Sequence, residues 1–91
     1  MIQDDLHKDL HVRLKKVLGQ VQAIDKMLEQ EAPCEDVLTQ ISAAKAALHS
    51  CGKIILEDHI KQCVRDGIEH SDADKAIENF TTAVDRFASM S

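Results

Sequence analysis

Apolar residues recur at intervals of three and four along most of this chain, with polar residues between them. Leu6, Leu10, Leu14, Val17, Val21, Ile24 and Leu28 form the first such series. That spacing lines one face of an α-helix and predicts a helix over about 5–30. Gly19 lies inside it, at a cost of ~1 kcal/mol relative to alanine. Pro33 ends the segment, because the residue before a proline is pushed out of helical geometry. The same proline suits the start of a second helix, and Glu35 and Asp36 place negative charge in its first turn. Val37, Ile41, Ala44, Leu48, Cys51 and Ile55 then alternate spacings of four and three, an a/d seam of the coiled-coil type. The pattern predicts a helix over about 34–66, with Gly67 as its terminator. Ser71, with Asp74 three residues on, reads as a capping box opening a third helix over about 72–88. Ala73, Ile77, Phe80, Val84 and Phe87 supply its apolar face.

The fold class is therefore all-α. Three helices on short connections pack as antiparallel neighbours, and 1–91 reads as a single domain. The central helix is too long for its own bundle to cover. Its seam calls for a second copy laid antiparallel, so a homodimer is expected, and a dimer of dimers (a tetramer) follows by the same logic.

Composition supports this picture. The 91 residues include no Trp, no Tyr and two Phe, so the core must be aliphatic. No apolar run approaches the ~18 residues of a membrane span, and the first residues lack the pattern of a signal peptide. A cytoplasmic, non-membrane protein is expected, in a compartment that keeps thiols reduced. Cys34, Cys51 and Cys63 then read as ligands, reactive thiols or packing residues rather than disulfide partners. The formal net charge of −5 opposes nucleic-acid binding, which phosphate neutralisation drives. Lys8, Arg13, Lys15 and Lys16 nevertheless cluster in the first helix, opposed locally by Asp9. They read either as a basic patch for DNA or as a solvated face.

The chemistry lies in three side chains. His59 and Cys63 are four apart, so they share one helix face and can hold one ion together. Cys34 stands 25 residues before His59, roughly 37 Å along a helix, too far to join them within one chain. Two antiparallel copies bring Cys34 of one chain beside His59 and Cys63 of the other. Two thiolates and an imidazole favour Cu(I) and tolerate Zn(II). Cys51 sits on the seam and reads as a packed small residue. His7 and His11 share an exposed turn, and His49 and His70 read as surface residues.

Cys34, then 24 residues, His59, 3 residues and Cys63 resemble the fingerprint of the copper-sensing operon repressors. The resemblance extends over Arg13-Leu14-Lys15, Gly19-Gln20, Met27-Leu28-Glu29, Cys34 to Leu38, Gln40 to Ala43, Asp58-His59-Ile60 and Ala76-Ile77-Glu78. It implies a three-helix tetramer that represses transcription and leaves operator DNA when Cu(I) binds across the dimer interface. The metal ligands would be Cys34, His59 and Cys63. The DNA-contacting residues would be Arg13, by its match to the family, with Lys15, Lys16 and Lys53 added by charge. The chain departs from copper-type relatives at Pro33 and Asn79, where they often carry Tyr and Glu. It also departs at Leu18 and Ser50, where they commonly carry arginine.

Two alternatives stand beside the copper reading. One is a persulfide or electrophile sensor that uses Cys34 and Cys63 as redox thiols. The other is a metal-binding helical oligomer without a DNA role. No catalytic constellation or phosphate-binding loop points to an enzyme.

Overall fold

The computed structural model describes residues 3–90 and shows helices α1 (Asp4–Glu29), α2 (Cys34–Glu69) and α3 (Ala73–Ala88), with no strand among those residues. No described helix is long and apolar enough to cross a membrane. The chain forms two compact units, one over Asp4–Cys51 and one holding Gly52 to the end of the described chain. α2 runs from the first unit into the second.

In the first unit the apolar stripes of both helices divide in the same way. On α1, Leu10 and Val17 are buried and Ile24 is half-buried, while Leu14, Val21 and Leu28 are exposed. On α2, Val37, Ala44 and Cys51 are buried, while Ile41 and Leu48 are exposed, and Ile55 continues that exposed row into the second unit. Each set repeats every seven residues. One row of every stripe is thus used inside the chain, and the parallel row a turn away faces outward. The predicted seam is two half-seams, of which only the a-type half packs within the chain.

The α1–α2 connection is a Schellman motif. Ala32 N–H donates to Met27 C=O (3.0 Å) and Glu31 N–H to Leu28 C=O (3.2 Å), the paired bonds that satisfy terminal helix carbonyls. Glu31 takes the left-handed position, φ 56°, where a Cβ costs roughly 1–2 kcal/mol and glycine is usual.

In the second unit, α2 continues to Glu69, past the expected stop at Gly67. Gly67 is an interior helical residue here. A Cβ on it would lie 3.0 Å from Cβ of Ala76 on α3, so its value is the close approach of two helices, not termination. The turn falls later, with Ser71 at φ 51°. Ser71 is therefore not the cap. Asp72 is the N-cap, its Oδ1 accepting from Lys75 N–H at 3.2 Å. The expected pairing of Ser71 with Asp74 gives way to an Asx cap one residue later. The apolar face of α3 is also offset from the predicted one: Ala76, Ala83, Val84 and Phe87 are half-buried, whereas Ile77 and Phe80 are exposed. Replacing Asp72 with alanine should cost about 1 kcal/mol, read as a lower midpoint in urea unfolding at unchanged slope.

Candidate metal and thiol site

Cys34 is the first residue of α2 and is exposed, whereas Cys63 is 6% exposed near the far end of the same helix. His59 lies one turn before Cys63 and is half-buried. Its Nε2 stands 3.4 Å from Cys63 Sγ. The i,i+4 spacing produces this contact directly, since side chains one turn apart on a helix meet. The two donor atoms converge on one part-buried point, as ligands to a single ion must. They fit a soft or borderline cation that takes sulfur and nitrogen ligands. One uninterrupted helix, α2, carries Cys34 as its first residue and the His59–Cys63 pair near its other end.

A cleft of about 200 Å³ opens beside Cys63, lined also by Asp66, His70, Asp72, Lys75 and Asn79. Asn79 thus shares a cavity with the thiol. Its amide brings no charge there. Asp66, Glu69 and His70 form a further group, with one potential ligand atom from each within 4.8 Å of the others. The residue pattern alone does not single out this group, and His70 reads there as a surface residue. His70 is indeed exposed; the spacing of Asp66, Glu69 and His70 at i, i+3 and i+4 is the signal that could have found them.

The other cysteine, Cys51, is 4% exposed and packs as a small apolar residue. His7 and His11 are exposed.

The basic residues of α1 do not all share one face. Arg13 and Lys16 are three apart and share a face of α1, while Lys15 points roughly 160° away from Arg13 at 100° per residue. Lys53 is exposed on α2, in the second unit. Arg13 Nε donates to Asp9 Oδ2 at 3.0 Å, an exposed intrahelical ion pair. Leu18 is 51% exposed.

Known proteins of similar sequence and fold identify the family. The chain is 40% identical over 75 residues to the copper-sensing transcriptional repressor CsoR of Bacillus subtilis, covering 82% of this chain and 74% of that protein. It is 48% identical over 52 residues to the copper-sensing transcriptional repressor RicR of Mycobacterium tuberculosis, covering 57% and 54% of the two chains. Among solved structures, it matches the copper-sensing repressor CsoR with Cu(I) from Geobacillus thermodenitrificans with TM-score 0.85 at 32% identity, over 97% of this chain and 92% of that one. The nickel-responsive transcriptional regulator InrS matches with TM-score 0.84 at 28% identity, over 88% and 90%. The model of the metal-sensitive transcriptional repressor family matches residues 6–86. The matched family is one of transcriptional repressors, not enzymes, and this chain, with its helical fold and its paired imidazole and thiol, belongs to that metal-sensitive transcriptional repressor family.

Proposed function

We propose that this repressor leaves its operator DNA when Cu(I) is held between two protomers by Cys34 of one and by His59 and Cys63 of the other. The observation that carries the reading is the 3.4 Å approach of His59 Nε2 to Cys63 Sγ. Two cysteines are enough for a sensor of persulfide, whereas the imidazole held against Cys63 supplies the third donor that a Cu(I) site uses. The relatives named above as copper-sensing support the same ion. Zn(II) suits the same donors less well, since it prefers four ligands to three.

Coupling to DNA follows from the geometry of the donors. Because Cys34 and the His59–Cys63 pair lie far apart on one helix, a complete ligand set exists only when two α2 helices lie antiparallel. The exposed row of Ile41, Leu48 and Ile55 supplies an apolar surface for that pairing. An inducer that needs both chains favours whichever quaternary arrangement brings the ligands together, and it can shift the equilibrium only by that difference in affinity. The arrangement that holds DNA is then the other one. Arg13, with Lys16 on the same face of α1, is the favoured part of the DNA surface. Lys15 and Lys53 contribute charge from other faces.

The test is a gel-shift titration of the protein on the DNA upstream of its own gene, under anaerobic conditions, with and without one Cu(I) per protomer. Release by copper in the native protein, and retention on DNA in His59→Ala, is the expected outcome. Indifference to copper with release by a polysulfide donor would replace this reading by the thiol-sensing one. No shift in either state would remove the DNA role. In the metal-free protein, Arg13→Ala should weaken binding evenly across DNA sequences and reduce the slope of log affinity against log salt by about 1.

A further inference from the structure

His59, Cys63, Asp66 and His70 follow one another along α2 and its final turn at intervals of four, three and four. That spacing holds them in one row on one face. The first two belong to the site between protomers. Beyond them the row continues with a different kind of donor. We propose that Asp66, Glu69 and His70 form a second cation site, complete within a single chain and suited to a borderline divalent ion such as Zn(II).

Three observations converge on this site. A carboxylate oxygen from Asp66, one from Glu69 and a ring nitrogen from His70 all lie within 4.8 Å of one another. Metal bonds of about 2.0–2.2 Å place ligand atoms roughly 3–4 Å apart, so small rotations of these exposed side chains bring the set to bonding distance without moving the backbone. Asp66 and His70 also form a wall of the cleft beside Cys63, with Asp72 in the same concavity. A cation there meets a third carboxylate nearby. Finally, the site lies at the C-terminal end of α2, where unpaired carbonyls carry partial negative charge. α2 has no basic residue in its last turn, whereas α1 has Lys26 and α3 has Arg86. Lys75 lines the cleft and opposes the ion.

The donor set separates this site from the one between protomers. It has oxygen and nitrogen and no thiolate, so it disfavours Cu(I) and favours Zn(II) or Co(II). It needs no second chain, so its occupancy does not depend on assembly.

The test uses the full-length chain with Cys34→Ser and Cys63→Ser, titrated with Co(II) and followed by calorimetry and visible absorption. Because Cys63 is buried, Cys34→Ser alone is run beside it. The expected result for the double variant is one Co(II) per chain at every protein concentration, with ligand-field bands and no thiolate charge-transfer band. His70→Ala, and Asp66→Asn with Glu69→Gln, should each weaken binding by more than the ~10-fold typical of losing an outer partner. Lys75→Gln should tighten it several-fold. All of these side chains are exposed, and unchanged far-UV circular dichroism confirms that each variant is folded. Binding that survives His70→Ala at full strength, or no Co(II) binding by the folded chain that keeps Asp66, Glu69 and His70, overturns the proposal. Neither result touches the copper reading, which rests on Cys34, His59 and Cys63.

Discussion

Cys63→Ser should abolish tight Cu(I) binding and leave the repressor on its DNA at copper levels that release the native protein. Serine preserves the size of the side chain, so the 6% exposed position stays filled and the helix stays intact. What it removes is the soft sulfur. A hydroxyl oxygen is a poor donor to Cu(I), and His59 with Cys34 of the other protomer leaves two ligands and one soft sulfur, too few to hold the ion tightly. The loss should exceed the ~100-fold upper range for removing a group that merely orients a ligand. Competition with a chromophoric Cu(I) chelator measures it. An affinity within a few-fold of native would show that the ion is held elsewhere, and it would remove Cys63 from the site.

A mixture of two defective chains should recover copper binding that neither has alone. Cys34→Ala leaves the His59–Cys63 pair intact but without its third ligand. His59→Ala with Cys63→Ala leaves only Cys34. In an isologous dimer each chain contributes both ends of its helix, so a mixed dimer holds one complete site and one empty one. Random assembly from equal amounts should then restore about a quarter of the native capacity. The measurement is Cu(I) bound per chain after co-refolding. Recovery near zero would mean that the ligands do not come from different chains.

The distance relation behind both experiments is legible in the residue order alone, because it needs only helical rise and the positions of Cys34, His59 and Cys63. The three helices are equally plain. Their starts and ends are less so. Gly67 resembles a terminator, but glycine also permits close helix packing, and the 3.0 Å approach to Ala76 is a tertiary fact that a local signal does not carry. Ser71 and Asp72 are both good capping residues. Which one caps depends on which takes the left-handed turn, and the chain places Ser71 there. Periodicity reveals the apolar stripes of α1 and α2 as stripes. Their division into an inner and an outer row depends on crossing geometry, which residue spacing leaves open. The group at Asp66, Glu69 and His70 escapes a reading of the sequence, because an acidic pair on an exposed turn resembles any solvated surface until the ligand atoms are seen to converge.

The outward rows of α1 and α2 carry a consequence for abundance. A protomer that leaves Leu14, Val21, Ile41 and Leu48 facing water has postponed part of its hydrophobic stabilisation to association, so its stability rises with its own concentration. A cell holding few copies holds a softer protein, more open to unfolding and proteolysis, than a cell holding many. Dosage of the gene would then set the durability of the repressor as well as its number.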